Sequence, residues 1–163
     1  MRRNLRRCAN GGQFQDGTAH NTSISLYNNS PAEYLLVWDV TTGLIETDVL
    51  SLGYTQGAVG TLGPASAPLV PTDSLPPGLV YSGDSNPLPA ALWGQLIADW
   101  GSGILWPHDY PIAVIPPLWS LLVVNDSNPT HNLYAGFLWE AINAEDFERY
   151  YGRFARPVLS DLG

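Results

Sequence analysis

Three histidines, one cysteine and a scatter of carboxylates are the groups in this chain that could do chemistry. His108 and Asp109 are adjacent in a Pro-flanked segment, the pairing a general base uses when a carboxylate orients its ring. A loop histidine beside a carboxylate is equally an ordinary surface contact. His20, His108 and His131 stand at no metal-ligand spacing, and HExxH is absent. A serine nucleophile would sit in a GxSxG elbow, of which Gly101-Ser102-Gly103 has only the centre. Arg6 and Arg7 lie beside Cys8 and would favour a thiolate, but no positioned base accompanies it. Lysine is absent, so there is no Walker lysine and no Schiff base. Asp99, Asp109 and Glu140 are the carboxylates a glycosidase pair would draw on, and nothing in their spacing brings them together. Asp-Ser-Asn-Pro occurs at 84–87 and again at 126–129. Two Asx-type turns account for the repeat, and no loop has the dense ladder of oxygens that calcium takes. The expectation is a chain that is not an enzyme and uses no metal and no cofactor.

Charge is more informative than catalysis. The seven arginines are Arg2, Arg3, Arg6, Arg7, Arg149, Arg153 and Arg156, while residues 8–148 hold 14 of the 15 acids and no lysine or arginine. Such an acidic body repels a phosphate backbone, so nucleic acid is not its expected partner. The arginines at the two ends read as partner-binding arms, because a guanidinium fork suits acidic or phosphate-bearing surfaces. The six tryptophans divide similarly. Trp38, Trp119 and Trp139 fall in strand-like segments and read as core. Trp93, Trp100 and Trp106 cluster in a loop-rich region, where they suit core packing, a subunit interface or a sugar-stacking platform.

The elements that must position these groups are short. The 163 residues suit one domain with a real core. Fourteen prolines and 16 glycines favour turns over long helices. A single cysteine excludes an internal disulfide. The longest apolar stretch, 111–124, is too short and too Pro-broken to span a bilayer, and no apolar run follows the basic N-terminus as in a secretory signal. Residues 1–22 read as a flexible arginine-rich arm, 23–142 as the domain, and 143–163 as a C-terminal helix and tail. Strands are expected at 23–27, at 33–40 with Tyr34, Leu36, Trp38 and Val40 on one face, at 44–52, 79–82, 111–115, 118–124 and 133–140. The last two read as an antiparallel hairpin. Leu92, Leu96 and Trp100 at four-residue spacing suggest a short helix over 89–100. Asn143 is the expected N-cap of a helix whose C′ residue is Gly152, with Phe147, Tyr150, Tyr151 and Phe154 on its apolar side.

The chain opens this domain with SLYNNSPAEYLLVWDV and closes it with PIAVIPPLWSLLVVNDSNPTHNLYAGFLWEAI. At Leu26, Asn28 and Ser30, and again at Pro116, Pro117, Ser120, Phe137, Trp139 and Glu140, it resembles small β-sandwich structural proteins of tailed phages. Pro117-Leu118 stands where that pattern often has Pro-Gly, which is expected to change the turn. The resemblance implies an all-β, antiparallel, jelly-roll-like sandwich with an N-terminal arm and a short C-terminal helix. It implies a virion part but says little about which one; the part expected here is a capsid decoration or other auxiliary head protein, located in the virion after assembly in the host cytoplasm. Its expected partners are the major capsid protein or other virion subunits and further copies of itself, as a homo-oligomer, in the first instance a trimer. No membrane association is expected. A tail, fibre or baseplate part, a carbohydrate-binding module using Trp93, Trp100 or Trp106, and a hydrolase at His108 and Asp109 are the alternatives.

Overall fold

The computed structural model describes residues 8–13, 23–44, 48–63, 65–68, 74–83, 91–98, 111–125 and 133–155. Within them the strands are β1 (Cys8–Gln13), β2 (Ser23–Tyr27), β3 (Glu33–Leu44), β4 (Asp48–Gln56), β5 (Thr61–Leu62), β6 (Ala67–Pro68), β7 (Leu79–Gly83), β8 (Ala91–Ala98), β9 (Ala113–Ile115), β10 (Trp119–Asn125) and β11 (Leu133–Asn143). One helix, α1 (Ala144–Ala155), follows β11. The strands form two antiparallel sheets, ordered β6-β1-β11-β3-β9 and β5-β7-β2-β10-β4-β8.

The pairing is nested. β1 pairs with β11, β2 with β10, β3 with β9 and β4 with β8, and successive pairs fall in alternate sheets. A long hairpin rolled into two four-stranded sheets gives this order, which is the jelly roll. β5, β6 and β7 all lie in the connection from β4 to β8. β7 and β5 extend one sheet beyond β2, and β6 extends the other beyond β1, so the insertion broadens both sheets at the same edge.

Alternation explains which side chains meet. Ile24, Leu26, Leu50, Leu52, Leu121 and Val123 of one sheet are buried against Leu35, Val37, Val40, Leu133, Phe137 and Trp139 of the other. Leu133, Ala135, Phe137 and Trp139, at the strand period along β11, form one inward row. The row expected on β3 is not found. Trp139 lies opposite Val37 and Leu138 opposite Asp39, so Trp38 is the extra residue of a β-bulge. The bulge shifts the alternation by one: Leu35, Val37 and Val40 face the core, and Leu36 faces outward into a second cluster with Ile142 and Phe147.

That second cluster seats α1. The Phe147 ring stacks on Tyr34 at 4.4 Å and 11° between planes. Asn143 is the N-cap: its Oδ1 accepts the Asp146 backbone N–H at 2.7 Å, and its Nδ2 donates to Asp146 Oδ2 at 3.1 Å. Glu145 and Asp146 in the first turn suit the positive end of the helix. The helix runs through Gly152 to Ala155, so Gly152 is not the C′ residue.

Four further expectations change. Within the expected arm Cys8–Gln13 is a strand that adds to the edge of β11, so the sheet begins at β1 and not at residue 23; residues 1–7 and 14–22 of that arm lie outside the described residues. Residues 91–98 are strand and not helix, because β4 offers a ladder of backbone partners that outweighs a four-residue apolar spacing. Residues 48–56, and not 44–52, form the strand after β3. β10 and β11 are not a hairpin: consecutive strands of a jelly roll change sheets, so β10 pairs with β2 and β4 while β11 pairs with β1 and β3.

The turn at Pro116–Trp119 also departs from expectation. Trp119 N–H donates to Pro116 O at 3.2 Å, and Leu118 has φ 64. Leucine holds the left-handed conformation that glycine takes at the third position of such a turn, so the turn is kept and the strain is borne. Leu118→Gly relieves about 1–2 kcal/mol of left-handed strain and returns roughly 0.5–1 kcal/mol in chain entropy. Leu118 is 44% exposed and gives up little packing. The variant is expected to gain about 0.5–1 kcal/mol, read as a rise in urea midpoint; an unchanged or lower midpoint contradicts the strain.

Candidate functional site

The connections 28–32, 57–60 and 116–118 meet at one end of the sandwich, and one side chain ties them together. Asn28 is fully buried. Its Nδ2 donates to Glu33 O at 2.8 Å and to Ile115 O and Pro116 O, each at 3.1 Å. Its Oδ1 accepts Ser30 N–H at 3.1 Å. Its backbone N–H donates to Trp119 O at 2.8 Å, and its carbonyl accepts Leu118 N–H at 3.0 Å. Ser30 Oγ then accepts the N–H groups of Ala32 at 3.2 Å and Glu33 at 3.0 Å. Ser120 Oγ donates to Gly57 O at 2.6 Å, and Gly57 N–H donates to Leu118 O at 2.9 Å. Asn28, Ser30, Pro116 and Ser120, four of the positions that carry the phage resemblance, thus belong to one hydrogen-bonded junction. Trp139, a fifth, donates from Nε1 to Pro77 O at 2.8 Å and holds the β4–β8 insertion onto β11.

Beside this junction lies an open apolar hollow of about 230 Å³, lined by Tyr54, Val114, Pro116 and Trp119. Val114 belongs to β9, the edge of one sheet, and Tyr54 to β4, next to the edge of the other. The hollow therefore opens between the two sheets on the side away from β1. Burial raises the Tyr54 phenol above its ordinary value, and a backbone hydrogen bond from Val114 partly offsets this. The same bond satisfies a backbone group of β9, so the hydroxyl covers part of that edge strand. Leu118, between two lining residues, adds exposed apolar surface. Val114 also packs against the cluster of Leu36, Ile142 and Phe147 that seats α1, the helix whose first turn carries Glu145 and Asp146.

The residues singled out in the sequence fall as follows. Arg149 is exposed on α1, and Arg153 lies in the same helix. Trp93 is the extra residue where β8 slips past β4, between Leu92 opposite Gly53 and Gly94 opposite Leu52. Arg2, Arg3, Arg6, Arg7, Arg156, Trp100 and Trp106 lie outside the described residues, as do His20, Asp99, His108, Asp109, His131 and both Asp-Ser-Asn-Pro repeats. Glu140 is buried on β11, opposite Leu36. Among the described residues no three His, Cys, Asp or Glu side chains stand together as metal ligands. No described helix is long and apolar enough to cross a membrane. Tyr54, Val114 and Leu118 were not signalled by sequence: the hollow unites residues some 60 positions apart, and only the Pro-Pro-Leu-Trp string hints at an exposed apolar turn. No protein-family model, curated protein or solved structure matches this chain.

Proposed function

We propose that this chain is a structural component of a tailed-phage virion, a capsid decoration or auxiliary head protein that binds neighbouring subunits and transforms no substrate. The observation that carries the reading is charge segregation: 14 acids and no lysine or arginine over residues 8–148, with all seven arginines at the two ends. An anionic body with cationic ends suits a part held in register by complementary neighbours. The jelly roll supports the reading without deciding it, because virus capsid domains share this architecture with lectin domains and cupins. The phage-like residues support it further, since they build one junction of the fold.

The test is removal of residues 1–7, upstream of β1. Truncated chains are expected to keep their far-ultraviolet circular dichroism and to fall at least tenfold in occupancy on particles. Unchanged occupancy removes the arm from the mechanism. Labelled localisation separates the head from a tail, fibre or baseplate position, since a decoration protein occupies many equivalent sites and a tail part few.

A further inference from the structure

We infer that the hollow beside β9 receives the arginine arm, residues 1–7, of a second copy of this chain; the inference rests on the same reading of the arm as a partner-binding element. Three observations lead there. The first is chemical fit. The arm, MRRNLRR, offers four guanidinium groups around one leucine. The hollow offers the rings of Tyr54 and Trp119 and apolar walls from Val114 and Pro116, and Val114 packs on the cluster under α1, whose first turn carries Glu145 and Asp146. Guanidinium stacks on aromatic faces and pairs with carboxylates, so both halves of the arm's chemistry have a counterpart.

The second observation is where the arm begins. Cys8 lies opposite Glu140, three residues from the end of β11 and on the same end of the sandwich as Asn143, Glu33 and the 116–118 turn. Fully extended, residues 1–7 span about 24 Å.

The third is the side on which donor and acceptor sit. In the order β6-β1-β11-β3-β9 the arm leaves near one edge, and the hollow opens at the other. To enter its own hollow an arm must pass the ends of β11, β3 and β9, where α1 is seated by Phe147 on Tyr34. Donor and acceptor on opposite edges of one subunit instead make a head-to-tail contact, which closes into a ring when the rotation permits. A cyclic homo-oligomer follows from this arrangement, with every arm engaged.

The experiment is done on the purified full-length chain by light scattering coupled to size exclusion, without particles. The wild type is expected to run as one closed oligomer at low salt. Two variants separate the halves of the contact. Deletion of residues 1–7 removes the donor. Leu118→Arg combined with Glu145→Arg, at two exposed positions, places like charge at the acceptor. Each alone is expected to be a folded monomer, and an equimolar mixture is expected to give a 1:1 dimer, since one intact arm then meets one intact hollow. The mixed dimer is expected to weaken at least tenfold between 50 mM and 500 mM salt. A monomeric wild type, an oligomer that survives either change, or folded variants that do not complement each overturns the inference. A wild-type oligomer absent from virions would instead sink the proposed function and leave this contact standing.

Discussion

Asn28→Ala is expected to lower the unfolding free energy by about 3–5 kcal/mol. The side-chain amide serves the carbonyls of Glu33, Ile115 and Pro116 and accepts the N–H of Ser30, all at a fully buried position. Truncation strips the Ser30 N–H and the Ile115 carbonyl, in two separate connections, of buried side-chain bonds and removes a further bond from Glu33 O and Pro116 O, and each buried group left unsatisfied costs about 1–3 kcal/mol. Water would have to enter the sandwich end to compensate, beside Ile115, which is itself fully buried. Asn28→Asp sharpens the argument. It keeps the shape and the acceptor for Ser30 but turns a second oxygen toward three carbonyls, so it is expected to be at least as damaging as alanine. Urea unfolding followed by circular dichroism checks both. A shift below about 1 kcal/mol for alanine means that the three connections are held by their backbone bonds alone. The consequence reaches the candidate interface, because Pro116, Leu118 and Trp119 take their places from this junction.

Much of the core was legible because its pattern is local. Ser23-Ile24-Ser25-Leu26 reads as a strand by alternation, and Leu133, Ala135, Phe137 and Trp139 repeat at the strand period. Local pattern and structure part where a distant partner decides. CANGGQ has no strand propensity, yet β11 presents an edge and Cys8–Gln13 takes it. Leu92 and Leu96 share the spacing of a helical face, but β4 captures the segment into a sheet. The bulge at Trp38 depends on how β3 meets β11, and no property of EYLLVWDV announces it. The same limit hid the hollow, since Tyr54, Val114 and Trp119 become neighbours only when the hairpin is rolled. Asn28 was visible as a motif residue, but the sharing of its amide among three carbonyls required the fold.

Gly78→Ala is expected to destabilise the chain by about 3–5 kcal/mol, through a clash that cannot be relieved on either side. Gly78 has φ 127, a conformation an L side chain rarely takes. A Cβ there would stand 2.5 Å from Nε1, 2.7 Å from Cε2 and 2.9 Å from Cζ2 of Trp139. The indole is fully buried and fixed by its bond to Pro77 O at 2.8 Å, while Gly78 N–H is fixed by Asn29 Oδ1 at 2.7 Å. The backbone therefore cannot lift away without breaking one hydrogen bond, and the ring cannot retreat without breaking the other and opening the core. A test on the pair is decisive. Phenylalanine at position 139 removes the indole nitrogen that stands nearest, so Gly78→Ala combined with Trp139→Phe is expected to be less destabilised than the sum of the single changes, by about 1 kcal/mol or more. Strict additivity would mean that the penalty lies in the backbone angle alone. The effect is also expected to be directional. Pro77 and Gly78 lead into β7, which extends the sheet beyond β2 on the side of β1, so hydrogen exchange should rise first in β7 and β5 and last in β9 and β4.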